Sequence, residues 1–180
     1  MKKLLVAEIG SVHDGSFGNA INLIHLAKEC GANAVKFQYH ISEEETSIDA
    51  PSPHYFSKET RWDYFKRISF SKQQWRDLFK ESKKINLKFI VSPFSQKAVL
   101  ELVDTGIDII KIASGEVTNT PMLELISKQK KPIILSTGMS KWNEISNAVE
   151  IFNKTKSNLV IMQCSSKYPC KEKDVGLNLL

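Results

Sequence analysis

Long apolar stretches are missing from this chain of 180 residues. No apolar run approaches the roughly 18 residues that a membrane-spanning helix requires, so a membrane partner is not expected. Segment 1–8 places two lysines before an apolar run, as a signal peptide would, but Glu8 and Gly10 interrupt that run too early. We therefore interpret this segment as a first β-strand and expect a cytoplasmic protein.

Cysteine is also scarce, since the chain contains only Cys30, Cys164 and Cys170. They form no Cys-x-x-Cys pair, and three cysteines cannot all be joined in disulfides. We therefore expect free thiols in a reducing compartment rather than a disulfide framework.

A basic stripe with interleaved aromatic residues, which nucleic-acid binding would require, is absent as well. The formal net charge is +5, and the lysines are spread along the chain. The cluster at 128–131 lies where a helix should end, and there the helix dipole favours cations. The charge pattern therefore predicts no nucleic-acid partner, whereas a small anionic substrate needs only local positive charge.

Runs with strand character alternate six times with segments of helical periodicity. This alternation predicts an α/β protein with a parallel sheet. The predicted strands lie at 4–9, 33–38, 89–92, around Lys111, at 132–138 and at 159–166. A doubly wound sheet would usually carry a Gly-rich phosphate loop after its first strand, and segment 10–15 does not match Gly-x-Gly-x-x-Gly.

Two of the predicted helices begin with capping signals. Ser71 is followed three residues later by Gln74, which predicts a capping box. Thr120 precedes Pro121, which predicts a cap at Thr120 with proline in the first helical position.

Polar side chains stand at the end of nearly every predicted strand, as they do in a (β/α)8 TIM barrel. They are Glu8, Lys36 with Gln38, Ser92, Lys111 with Ser114, Ser136 with Thr137, and Ser165 with Ser166. Six βα units in 180 residues fall short of the usual eight in about 250. We therefore predict a partial barrel, in which 1–180 is the N-terminal part of a longer domain that lacks its last two strands.

Lys111 interrupts an apolar run, and a buried ammonium group is costly unless an anion or another partner meets it. Lys111 therefore binds an anionic ligand, pairs with a nearby carboxylate or extends out of the strand end. Two lysines and several hydroxyls at one barrel mouth would suit a small polyanion. Glu8, the only acid of the group, would position a water or a substrate hydroxyl, or would neutralise a lysine.

Segment 39–70 is longer than a simple connection between two elements requires, and we interpret it as an active-site loop. His13 and His40 lie on loops from which they could enter the barrel mouth. No pair of histidines has metal-ligand spacing, so the residues by themselves support no metal site.

Taken together, these residues resemble the sialic acid synthase family across essentially the whole chain. The motifs that carry the resemblance are Ala7-Glu8-Ile9-Gly10, His13-Asp14-Gly15, Val35-Lys36-Phe37-Gln38, Ser92-Pro93-Phe94-Ser95, Lys111-Ile112-Ala113-Ser114-Gly115-Glu116, Asn119-Thr120-Pro121, Leu135-Ser136-Thr137-Gly138-Met139 and Cys164-Ser165-Ser166-Lys167-Tyr168-Pro169. Segment 39–70 resembles the bacterial branch through His40, Glu43 to Glu45 and Tyr64-Phe65-Lys66-Arg67.

The resemblance implies an N-acetylneuraminate synthase type of reaction. Phosphoenolpyruvate would condense with the open-chain aldehyde of N-acetylmannosamine or a related amino sugar and release phosphate. It further implies a small antifreeze-like C-terminal domain, absent from 1–180, and a homodimer when the protein is full length. A divalent metal, manganese or magnesium, is implied as well, with its two histidine ligands on the last barrel strands and therefore outside this chain.

The resemblance also assigns roles by position. Lys36, Ser92, Lys111, Ser114 and Ser136 match phosphoenolpyruvate contacts, and Glu8 matches the acid that positions sugar or water. Gln38, Ser166 and Tyr168 match positions near the substrates. Glu8, Lys36 and Lys111 are therefore the expected catalytic residues. Ser166 stands where some members have asparagine and Ser92 where some have threonine, which leaves the sugar open between N-acetylmannosamine, its 6-phosphate and dideoxy sugars.

Two alternatives stay open at this point. A TIM-barrel aldolase would use Lys36 or Lys111 as a Schiff-base nucleophile. A non-enzymatic binding module or inactive partial barrel is the other, since an unclosed barrel exposes a sheet edge. We expect residues 1–180 alone to show little activity.

Overall fold

The computed structural model describes residues 3–52, 59–167 and 169–179. The chain divides into two compact units, Met1–Asp108 and Ile109–Leu180. Each unit contains three parallel strands that follow one another in sequence order, with helices between them. No helix within the described ranges is long and apolar enough to cross a membrane.

The first unit alternates strand and helix as predicted. Its strands are β1 (Val6–Gly10), β2 (Ala34–Tyr39) and β3 (Lys88–Pro93). Its helices are α1 (Phe17–Glu29), α2 (Ser42–Glu45), α3 (Arg61–Ile68), α4 (Lys72–Lys84) and α5 (Gln96–Thr105). The described part of segment 39–70, predicted as an active-site loop, therefore contains two helices, and α3 buries Phe65 and Ile68.

Side-chain alternation along β2 divides this strand into two faces. Phe37 and Tyr39 are buried and meet the Trp75 ring of α4, at centroid distances of 6.0 and 4.8 Å. Because successive strand residues point to opposite faces, Lys36 and Gln38 point away from this aromatic core. The helix that covers the core begins with the predicted capping box of Ser71 and Gln74.

The second unit continues the alternation. Its elements are β4 (Ile109–Ile112), a 3₁₀ turn at Ser114–Glu116, α6 (Thr120–Ser127), β5 (Ile133–Ser136), α7 (Trp142–Lys154), β6 (Leu159–Met162) and 3₁₀ turns at Glu172–Asp174 and Leu177–Leu179. The predicted cap at Thr120 was wrong by one residue. Asn119 precedes the helix, and its side-chain oxygen accepts a hydrogen bond from the Met122 backbone N–H.

Burial falls from β4 to β6 across the second unit. All four residues of β4 are buried, including Lys111, whereas Val160, Ile161 and Met162 of β6 are about half exposed. The last strand ends at Met162 rather than at the predicted residue 166. Its exposed apolar side chains are the least protected part of the described sheet.

The turn after β1 is fixed by the segment between β2 and α4. Arg67 of α3 donates to the Asp14 carbonyl oxygen at 3.2 Å and to its carboxylate at 2.6 Å. Gly15 has φ +79°, and a Cβ there would lie 2.5 Å from the Arg67 carbonyl oxygen. The turn therefore requires glycine for both its backbone conformation and its close approach to α3.

His13, in the same turn, is buried against the rings of Phe37 and Phe70. The Gly15 backbone N–H donates to His13 Nδ1 at 3.2 Å, an interaction that requires an unprotonated Nδ1. Burial lowers the pKa of His13 from 6.5 to about 4. The structure therefore holds this histidine neutral.

This burial makes the first unit sensitive to acid. Between pH 6.5 and about 4 the unfolded chain protonates His13 while the folded chain does not, so stability falls as the pH is lowered through this window. We expect the free energy of unfolding to drop from pH 7 to pH 4 by up to about 3 kcal/mol more in the native chain than in His13→Gln. Urea unfolding at several pH values measures this difference, and identical pH profiles for the two proteins would contradict it.

Candidate active site

Lys36 of β2 is the centre of a polar cluster in the first unit. The parallel register pairs it with Glu8 of β1, and its Nζ lies 2.9 Å from Glu8 Oε2. Its Nζ also lies 3.4 Å from the hydroxyl of Ser92 on β3. The Glu8 side chain is 54% exposed. Glu8 therefore neutralises Lys36, one of the two roles that the sequence left open for it.

Gln38 lies two residues farther along the same face of β2. Its Oε1 accepts a hydrogen bond from the Ser11 hydroxyl at 3.0 Å. Gly10 has φ +53°, and a Cβ there would lie 3.1 Å from Glu8 Oε1 and 4.0 Å from the Gln38 amide carbon. The glycine that ends β1 therefore leaves room for the Glu8 carboxylate.

Lys111 of β4 is the centre of a second cluster, in the second unit. It is 7% exposed, donates to the Ile112 carbonyl oxygen at 2.7 Å and contacts the Ser136 hydroxyl at the end of β5. The Cys164 thiol lies 3.3 Å from the same hydroxyl. A buried ammonium and a serine hydroxyl therefore meet at neighbouring strand ends, as the sequence predicted.

Gly138 brings the remaining hydroxyls of this unit together. Its backbone N–H donates to Ser114 Oγ at 3.1 Å, which directs the Ser114 hydrogen toward another acceptor. A Cβ on Gly138 would collide with Ser166 Oγ and lie 3.0 Å from Ser114 Oγ. No role for Gly138 was expected from its residue type, although its place directly after the Ser136-Thr137 strand end could have pointed to one.

The predictions for Tyr168 and for the two loop histidines, His13 and His40, have other outcomes. Tyr168 lies outside the described residues, so its place near the substrates stays a prediction. His13 and His40 do not enter the site as exposed side chains: they are 1% and 7% exposed, and His40 is stacked between the rings of Phe65 and Phe94.

A cavity of about 350 Å³ in the first unit is lined by none of the predicted phosphoenolpyruvate contacts. Two of its lysines are engaged in ion pairs, Lys72 with Glu101 and Lys97 with Glu44. Burial and then Glu101 raise the pKa of Tyr39, which donates its hydroxyl hydrogen to Glu101. The cavity is therefore distinct from the strand-end clusters around Lys36 and Lys111.

Metal ligands are not assembled in the described parts of the chain. Among residues 3–52, 59–167 and 169–179, no three His, Cys, Asp or Glu side chains are grouped so that they could hold an ion. The divalent metal that the resemblance implies stays a prediction, with its ligands expected outside this chain.

Comparison with known proteins identifies the family of this chain. Residues 23–180 match the NeuB family. The chain belongs to the NeuB family. It is 34% identical over 187 residues to the N,N'-diacetyllegionaminic acid synthase of Campylobacter jejuni, covering 99% of this chain and 56% of that protein. It is 31% identical over 180 residues to the N-acetylneuraminate-9-phosphate synthase of Homo sapiens, covering 98% and 50%. This NeuB-family chain thus spans about half the length of the curated relatives it matches.

The fold agrees with that of a solved family member. The N-acetylneuraminic acid (sialic acid) synthetase of Leptospira borgpetersenii, crystallised in complex with citrate, superposes with a TM-score of 0.85 at 32% identity. The match covers 98% of this NeuB-family chain and 60% of that chain. The predicted fold class, a partial (β/α)8 barrel of six βα units, is confirmed.

The collision at Gly138 can be tested by substitution. Gly138→Ala should displace the hydroxyls of Ser114 and Ser166 and lower the free energy of unfolding by about 1–3 kcal/mol, the usual effect of overpacking. Gly115→Ala is the matched control, because a Cβ at Gly115 meets no atom within 4 Å. Chemical unfolding of both variants measures the difference. Equal free energies of unfolding would show that a Cβ at Gly138 is accommodated without cost.

Proposed function

We propose that the whole protein to which these residues belong condenses phosphoenolpyruvate with an open-chain amino sugar. N-acetylmannosamine or a close relative would be the aldehyde, and N-acetylneuraminate or another nonulosonic acid the product, with release of phosphate. The observation that carries this proposal is a lysine with hydroxyl neighbours at strand ends in each unit of a NeuB-family chain.

The two clusters suit the charge of phosphoenolpyruvate. This substrate carries a phosphate and a carboxylate, and lysine ammonium groups and serine hydroxyls are suitable donors to both. Lys36 is 13% exposed at its side chain and Lys111 is 7% exposed, so both act in surroundings partly shielded from water. A related synthetase was crystallised with citrate, which is also a polyanion.

The chemistry would proceed by attack of the phosphoenolpyruvate C3 on the aldehyde carbon. The enol double bond supplies the electron pair for the new C–C bond, and the aldehyde oxygen takes up a proton to become a hydroxyl. Positive charge then develops on C2 until water adds there. Loss of phosphate breaks the C2–O bond and leaves the 2-keto acid.

Glu8 would assist these reaction steps. Its carboxylate is half exposed and already fixed by Lys36, so it can accept a hydrogen bond from a water or stabilise a neighbouring cation. Lys36 and Ser92 would hold an anionic group of the substrate at the adjacent strand ends. Ser114, oriented by Gly138, and Ser136 would donate to substrate oxygens in the second unit.

We further propose that the metal and the partner belong to the rest of the protein. A manganese or magnesium ion would be held by ligands outside residues 1–180 and would polarise the aldehyde when bound. The whole protein would form a homodimer. Both statements rest on the resemblance of the chain to its family.

The direct test follows phosphate release by the purified whole protein with phosphoenolpyruvate and a panel of amino sugars. The panel comprises N-acetylmannosamine, its 6-phosphate and the dideoxy sugars that lead to legionaminic and pseudaminic acids. We expect metal-dependent phosphate release with at least one sugar and none without sugar. A borohydride-trapped pyruvate adduct on Lys36 or Lys111, with no phosphate release, would instead support the Schiff-base aldolase.

Loss of the Lys36 charge should affect catalysis more than folding. We expect Lys36→Met to lower kcat/KM of the whole protein by about 100-fold or more, because the ammonium would no longer meet an anionic substrate group. Lys88→Met, at the exposed start of β3, is the control and should stay within about twofold of the native value. If the two variants retained equal activity, Lys36 would have no part in the reaction.

A further inference from the structure

His40 lies directly after β2 and is buried between two aromatic rings. Its ring lies between those of Phe65 and Phe94, at centroid distances of 4.1 and 4.3 Å and interplanar angles of 9° and 13°. Such a parallel stack on both faces leaves the imidazole only its edges for other contacts. The Ser69 hydroxyl donates to the His40 backbone carbonyl at 3.1 Å, which fixes the main chain as well.

Both ring nitrogens of His40, which lie on those edges, have polar side chains as neighbours. Nδ1 faces the two carboxylate oxygens of Glu45, at 3.0 and 2.9 Å, and Nε2 lies 3.4 Å from Gln38 Oε1. The side chains of His40 and Glu45 are only 5% and 7% exposed. A hydrogen-bonded chain therefore runs from a buried carboxylate, through the imidazole, to the amide of Gln38.

This chain fixes which end of the Gln38 amide faces a ligand. Oε1 accepts a hydrogen bond from the Ser11 hydroxyl and lies 3.4 Å from His40 Nε2. Nε2 donates to it when the imidazole carries hydrogen on both nitrogens, the form that pairs with the Glu45 carboxylate. The amide is planar, so its NH₂ group points away from these two partners. Gln38 is thereby presented as a donor at a strand end that also carries Lys36 on the same face.

Burial of the His40–Glu45 pair costs free energy that core packing by itself does not require. Removing two polar or charged groups from water costs free energy, and apolar residues of similar size often stabilise a protein at least as well. Its geometry is useful if the orientation of Gln38 matters. A positioning role therefore accounts for a feature that packing by itself does not require.

We propose that His40, held by Glu45 and the two phenylalanine rings, is a positioning residue that orients the Gln38 amide toward an oxygen acceptor of a substrate. The contact of Gln38 with substrate rests on the proposed function, whereas the orientation of its amide does not. The acceptor oxygen belongs either to phosphoenolpyruvate or to the amino sugar, and kinetics distinguish the two.

The test uses His40→Phe in a Glu45→Gln background. Phenylalanine preserves the ring stack, and glutamine keeps an acceptor for Nδ1 without leaving a buried carboxylate when the imidazole is removed. Glu45→Gln by itself is the reference, so its comparison with the double variant isolates the ring nitrogens. Tyr39→Phe with Glu101→Gln is the matched control, because it removes another aromatic–carboxylate pair of the first unit, on the opposite face of β2.

Kinetics of the whole protein give the first readout. We expect His40→Phe to lower kcat/KM by about 5–10-fold, the effect of one misdirected hydrogen bond. The increase in KM should be confined to one substrate, which identifies the owner of the acceptor oxygen. In a Gln38→Met background the same change should have less than a twofold effect, because His40 acts through Gln38. Equal losses with and without Gln38 would overturn the proposal.

Nuclear magnetic resonance of the 180-residue chain gives a readout that needs no activity. The Gln38 side-chain amide should show a high heteronuclear NOE and two well-separated proton shifts in the native chain and in the control. Both signatures should diminish in the His40→Phe variant. An amide equally ordered in all proteins would refute the positioning role. Inactivity of the native whole protein, with the amide change still observed, would refute the proposed function but leave the orientation of Gln38 by His40 supported.

Discussion

The parallel register of β1 and β2 is the constraint on which the first cluster depends. It sets Glu8 beside Lys36, and the ion pair between them follows from that register. The same strand buries Phe37 and Tyr39 against Trp75 on its other face. A slip of one residue would exchange these faces, placing a lysine in the aromatic core, so the hydrophobic packing itself fixes the polar site.

The sequence predicted those parts of the structure that depend on local pattern. Short apolar runs between segments of helical periodicity identified the six strands of the described residues, and the Ser71–Gln74 spacing identified a capping box. The position of Lys111 in an apolar run predicted a buried ammonium that needs partners, and Ile112 and Ser136 are among them. Short apolar runs are a strong signal here because parallel strands such as β4 are buried on both faces.

Features that depend on tertiary contacts were not predictable in this way. Thr120 and Asn119 are both good capping residues, and only the path of the chain into α6 decides between them. The burial of His40 depends on Phe65 and Phe94, which are distant in sequence from each other. The role of Gly138 appears only once Ser114 and Ser166 are seen on either side of it.

Membership of the NeuB family and the lysine–hydroxyl strand ends together support a phosphoenolpyruvate-binding barrel. The most direct measurement of that claim is a crystal structure of the whole protein with phosphoenolpyruvate. Our account predicts a phosphate or carboxylate oxygen of the substrate within hydrogen-bonding distance of Lys36 Nζ and the Ser92 hydroxyl. Substrate bound elsewhere, with the Glu8–Lys36 pair untouched, would contradict it.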